Sequence, residues 1–154
     1  MLHAFAYILF ILPFTAWLGH ELKRPVDLKK YWGWLLAVFI VGVLGNFSSV
    51  ISSGKLSNFL LHASGGAACT LLYVYLTKTL KLHFNWRLTV LFLFAFVCML
   101  GIVNELAEYA GELLDVGKFS FDTHDTWRDM VANTTGAAVV WLLLTSYNGL
   151  KKHS

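Results

Sequence analysis

A chain of 154 residues with 57% hydrophobic and 14% charged residues does not fit a water-soluble domain, where about a quarter of residues are charged. The length leaves room for one compact polytopic domain and no separate soluble module. The formal net charge of +3 comes from short loops between apolar blocks, which speaks against a nucleic-acid surface.

Five apolar blocks follow in order, at about 2–19, 31–51, 57–77, 88–110 and 128–147. Each approaches the ~20 residues that a helix needs to cross a bilayer. Together they predict an all-α transmembrane helix bundle of five spans. The first block has no lysine or arginine before its apolar core and no small-x-small pattern near Gly19. It reads as a retained helix rather than a cleaved signal peptide. Cys69 and Cys98 fall deep in the third and fourth blocks and read as small core residues, not as a metal site or disulfide.

Charge sets the orientation. Lys23, Arg24, Lys29, Lys30, Lys78, Lys81, Arg87, Lys151 and Lys152 fall on one side, which is nine of twelve basic residues; Lys55, Lys118 and Arg128 fall on the other. Basic loops stay cytoplasmic, so the N-terminus is expected outside and the C-terminus in the cytoplasm. Acids show the opposite bias, with seven of nine between Glu105 and Asp129. In the loop there, residues 116–124 alternate Gly117, Phe119 and Phe121 with Lys118, Ser120 and Asp122. That alternation predicts a short extended or re-entrant lid.

The acids are ordered, not scattered. Glu105, Glu108 and Glu112 stand at i, i+3 and i+7 and share one helical face. Glu105 is expected about 25 Å along its helix, just inside the outer boundary, where a carboxylate is costly unless it meets protein, water or a cation. Asp125, Asp129 and Asn133 form a second stripe at i, i+4 and i+8, which continues to Gly136 and Ala137. Helix capping accounts for Asp125, poorly for Asp129 and not for Asn133. His62 falls a few residues inside the third block, at the same depth as Glu105 and Asn133. Asn46, Ser48 and Ser49 lie at the outer end of the second block.

The plainest account is a salt-bridge network in which Arg128 neutralises Asp129 or Glu105. Yet between Glu105 and Asp129 one arginine and one lysine, with at most His62 and His124 besides, face seven acids. That imbalance invites a divalent cation such as Mg or Ca, or carboxyls that stay protonated. In the cation reading Glu105, Glu108 and Asp129 are metal ligands. His62, Glu105 and Asp129 form the catalytic set with His62 as general acid or base, and Glu108, Asp125, Arg128 and Asn133 bind or orient.

The stretch Asp129-Met130-Val131-Ala132-Asn133-Thr134-Thr135-Gly136 resembles the D-x-x-x-N-x-x-G signature of VanZ-like membrane proteins. Glu105 and Glu108 match the paired acidic positions ahead of it, and His62 matches the histidine of a D-K-x-x-H element. Asn58 and Phe59 stand at the Asp-Lys positions of that element, so one charge pair of the family is missing here. The run Asp125-Thr126-Trp127-Arg128-Asp129-Met130 also resembles the D-T-x-x-D-M run of YjdF-type inner-membrane proteins. The resemblance covers roughly residues 55–147. It implies a bacterial cytoplasmic membrane, the cell envelope and, through VanZ itself, resistance to a glycopeptide antibiotic.

Three functions stay open at this point. One is an envelope membrane protein whose outer-leaflet acidic pocket engages membrane lipid or a partner. Another is a metal-dependent enzyme acting on a lipid-linked phosphate substrate or a glycopeptide-like ligand. The third is a small proton-coupled transporter, against which the lack of internal repeats counts unless a homodimer supplies the symmetry.

Overall fold

A computed structural model describes residues 2–51, 54–115 and 123–152. The side chains of residues 2–6, 49, 123, 125 and 148–152 lie outside the description. The lid expected over 116–124 therefore falls largely outside the described residues, as do the side chains of Ser49, Asp125, Lys151 and Lys152.

The described residues form five helices: α1 (Leu2–Glu21), α2 (Trp32–Ile51), α3 (Lys55–Thr79), α4 (Trp86–Leu113) and α5 (Thr123–Lys152). The fold is an all-α membrane helix bundle. By length and apolarity, Lys55–Thr79, Trp86–Leu113 and Thr126–Tyr147 can each cross a membrane, whereas the apolar stretch of α2, Trp32–Ser48, is shorter. The helices run past the apolar blocks because capping, not apolarity, ends them. Asn85 accepts from the Leu88 amide at 3.0 Å and so starts α4. Gly54 begins α3 at φ 67, a backbone region open to glycine and strained for most residues.

Two helices close at the basic end with the same device. Lys23 and Lys81 adopt left-handed φ values of 51 and 52. Arg24 N then reaches Gly19 O at 2.9 Å, and Leu82 N reaches Thr77 O at 2.8 Å, the six-to-one bond of a Schellman motif.

α3 is the axis of the bundle. Every residue from Gly66 to Leu76 is buried, and α3 packs against each of the other four helices. α4 is its opposite: only Leu93, Phe96, Val97 and Leu100 are buried, at i, i+3, i+4 and i+7. The rest of α4 presents Leu91, Phe94, Ile102 and Leu106 outward, as a lipid-facing surface requires.

α3 meets α5 through missing side chains. A Cβ on Gly66 would run into the Asn133 backbone carbonyl, and one on Gly136 into that of Ala63. The two backbones thus touch in a reciprocal pair. Thr70 Oγ1 lies 3.3 Å from both Gly66 O and Ala137 O, bridging the seam. Lipid is as apolar as leucine, so such close packing and interhelical bonds, not the hydrophobic effect, hold membrane helices together.

Gly66→Ala and Gly136→Ala should therefore each cost about 1–3 kcal/mol, the range for overpacking a filled interior, read as a lowered Tm in detergent. Gly33 would meet nothing within 4 Å. Gly33→Ala should leave Tm unchanged or raise it slightly.

Candidate functional site

The seam between α3 and α5 also aligns their polar residues. Asn58, His62, Gly66 and Thr70 follow one another at four-residue steps along α3, and Asp129, Asn133 and Ala137 do so along α5. His62 with Asp129, Gly66 with Asn133, and Thr70 with Ala137 are paired at a constant offset of 67 positions. A constant offset means that the two helices run parallel, stripe against stripe.

Asp129 ends up buried, with 5% of its surface exposed. Each carboxylate oxygen faces a different α3 side chain. Asn58 Nδ2 donates to Oδ1 at 2.8 Å, and His62 Nε2 lies 3.3 Å from Oδ2. Burial of a carboxylate between two donors is tolerable, whereas burial without them is not. α4 supplies the third group. One carboxylate oxygen of Glu105, one of Asp129 and a ring nitrogen of His62 all lie within 4.8 Å of one another. Glu105 Oε1 is buried and, among the described residues, has no hydrogen-bond partner.

Beside this triplet is a cavity of about 80 Å³ to which all five helices contribute, among them Tyr7, Asn46, His62, Asn104, Glu108 and Asn133. A water needs at least ~10–15 Å³ of such space, so the cavity holds a few waters or one small polar group. It is far below the ~300–1,000 Å³ of pockets that enclose whole organic ligands.

The structure sorts the residues singled out by the sequence. His62, Glu105 and Asp129 come together. Asn133 lines the cavity, next to Gly65 and Gly101. Glu108, expected as a metal ligand beside Glu105, stands outside the triplet. It lies one turn on, where Asn104 Nδ2 donates to its Oε1 at 2.7 Å, so it belongs to the cavity. Arg128, expected against Asp129 or Glu105, donates from Nε to His124 O at 3.1 Å and lines a surface groove with Lys55 and Phe59. Its side chain follows its own helix back toward the N-terminus, and Asn58 and His62 take the Asp129 oxygens. The side chain of Asp125 lies outside the described residues.

Two residues were missed. Asn58 counted in the sequence only as the loss of a charge, yet it is the neutral donor that holds Asp129. Its position one turn before His62 was the available signal. Tyr7 comes from α1, where a uniformly apolar helix gives no cue.

Asn58→Leu should leave Asp129 Oδ1 short of a donor and cost about 1–3 kcal/mol, seen as a lower Tm of the purified protein. An unchanged Tm would show that the bond carries no weight.

No curated protein and no solved structure matches the chain. The family described as "Predicted membrane protein (DUF2238)" matches residues 1–149, nearly the whole sequence, and the chain accordingly belongs to the DUF2238 family of predicted membrane proteins.

Proposed function

We propose that this membrane protein binds a divalent cation between α3, α4 and α5, through His62, Glu105 and Asp129, and uses it to engage a phosphate-bearing group of the cell envelope. The observation that carries the reading is the buried, unpartnered Oε1 of Glu105 in a triplet whose ligand atoms lie within 4.8 Å of one another. Ligands bound at ~2.1–2.4 Å sit at most about 4.8 Å apart across an ion. A cation there would satisfy the lone Glu105 oxygen and offset two carboxylates at once. One imidazole with two carboxylates suits first-row ions such as Mn2+ as well as the harder Mg2+ or Ca2+.

The chemistry of the cavity fits what such an ion would bring with it. Asn104, Asn133 and Asn46 offer amides, and Glu108 offers an acceptor, around a volume suited to metal-bound water or one phosphate oxygen cluster. His62 borders both the triplet and the cavity, so it is placed to orient that water. The D-x-x-x-N-x-x-G stretch from Asp129 to Gly136 supports kinship with VanZ-like proteins and, with it, a bacterial envelope setting. Nine of the twelve basic residues lie in the first and third loops and the C-terminal tail, which supports an external N-terminus and a site near the outer leaflet.

Two measurements test this. Metal analysis of the full chain after incubation with Mn2+ should give close to one ion per chain. Glu105→Gln and Asp129→Asn should each weaken binding at least ~100-fold, and Asn58→Ala, which acts through Asp129, by about 10–100-fold. Asp115→Asn, at an exposed helix end, should match the wild type. Equal metal content in wild type and Asp129→Asn would end the cation reading. For orientation, a membrane-impermeant thiol reagent should label a cysteine placed at Lys118 in intact cells and spare one at Lys81; the reverse pattern would invert the topology.

A further inference from the structure

The other end of the bundle holds a second opening, with lysines where the first has carboxylates. A cleft of about 550 Å³ opens where the end of α3, the turn into α4 and the far part of α5 meet. Among the described residues its charged side chains are Lys78 and Lys81, with His83 beside them, and none of those that line it is a carboxylate. Trp34 and Trp141 form part of its walls, and Lys78 Nζ sits 5.9 Å from the centre of the Trp34 ring.

The turn bearing Lys81 is built, not loose. Arg24 Nη1 donates to Leu80 O at 2.9 Å and to Lys81 O at 2.7 Å, and the left-handed φ of Lys81 closes α3 there. α1's exit loop thus fixes the position of the cleft's cationic rim. Deeper in, Tyr73 lines the cleft five residues before Lys78, about 7.5 Å along the helix. It is 5% exposed, and its hydroxyl has no hydrogen-bond partner among the described residues. A buried phenol normally finds one.

We infer that this cleft binds the head group of an anionic phospholipid. A phosphodiester would lie between the Lys78 and Lys81 ammonium groups, accept from the Tyr73 hydroxyl, and leave the acyl chains against the aromatic and aliphatic wall. The volume lies within the range of ligand sites. Basic pockets between spans are the usual setting for acidic lipid head groups, and interfacial tryptophans mark the depth at which those head groups sit. The lipid, rather than free phosphate, is the occupant because the cleft joins its cations to an apolar wall. Leu82, Phe84 and Leu144 would gain nothing from an inorganic ion.

The test uses the full chain in mild detergent, with binding followed by native mass spectrometry and by Tm. Phosphatidylglycerol should bind at one molecule per chain, at least about tenfold more tightly than phosphatidylcholine, and should raise Tm. The double variant Lys78→Gln, Lys81→Gln alters exposed side chains, so it should fold normally and lose about 30-fold in phosphatidylglycerol affinity. Tyr73→Phe should weaken binding about tenfold while raising the Tm of the lipid-free protein, because it removes an unsatisfied buried hydroxyl. Equal binding of the two lipids, or a double variant that retains full affinity, would overturn the assignment. Stabilisation by inorganic phosphate equal to that by phosphatidylglycerol would also overturn it. Asp129→Asn should leave phosphatidylglycerol binding intact, which separates this cleft from the cation site.

Discussion

Contact between the α3 and α5 backbones at Gly66 and Gly136 is the constraint on which the rest depends. With any side chain at either place the helices would stand further apart. Asp129 could not then sit 2.8 Å from Asn58 and 3.3 Å from His62. The polar contacts do not draw the helices together unaided, since interhelical hydrogen bonds in membranes contribute only about 0.6–2 kcal/mol each. Small residues permit the approach, and the polar residues one turn away fix which stripe faces which. Thr70 extends the same seam one turn beyond Gly66.

The seam also explains how so many acids are accommodated. A carboxylate facing hydrocarbon is expensive, so it faces the bundle interior, and each acid here is met differently. Asp129 is enclosed by α3. Glu108 is met by Asn104 from its own helix. Glu105 differs, because its Oε1 is buried without a donor among the described residues. α4, which carries it, buries only a narrow stripe and offers the rest of its surface outward. The molecule therefore places this acid on a span that is largely open outward, next to a histidine that α3 brings within reach.

Much of this was legible in the sequence, for identifiable reasons. Helices in a membrane must satisfy every backbone group internally, so long apolar blocks admit few readings: five spans were expected, and the described residues form five helices, three of them long and apolar enough to cross a membrane. The stripes at Glu105 and Asp129 survived because a 3.6-residue repeat fixes a face whatever packs against it. What the sequence hid was the partner of each stripe. The sequence suggests Arg128 as a partner for Asp129 or Glu105; the structure has its Nε donating to His124 O, with Asn58 and His62 at the Asp129 oxygens. Asn58 was read against a charged residue and discounted, although an amide is the better donor to a buried carboxylate. Glu108 shares a face with Glu105, but three residues separate them by about 4.5 Å along the helix, and it lines the cavity rather than joining the triplet. The cleft at Lys78 and Lys81 could not be read at all, since topology alone accounts for basic loops and only the fold brings Tyr73, Trp34 and Trp141 to the same place.

Asn58 and Asp129 are 71 residues apart, and that separation has a cost in time. A ribosome adding ~5–20 residues per second needs roughly 4–14 s to make α5 after α3 has emerged. Throughout that interval the face of α3 that carries Asn58, His62 and Gly66 lacks α5, the helix that closes over it. One side of the central helix thus stays open until the last described helix is made. Whatever receives nascent spans must shelter α3 until the last helix arrives.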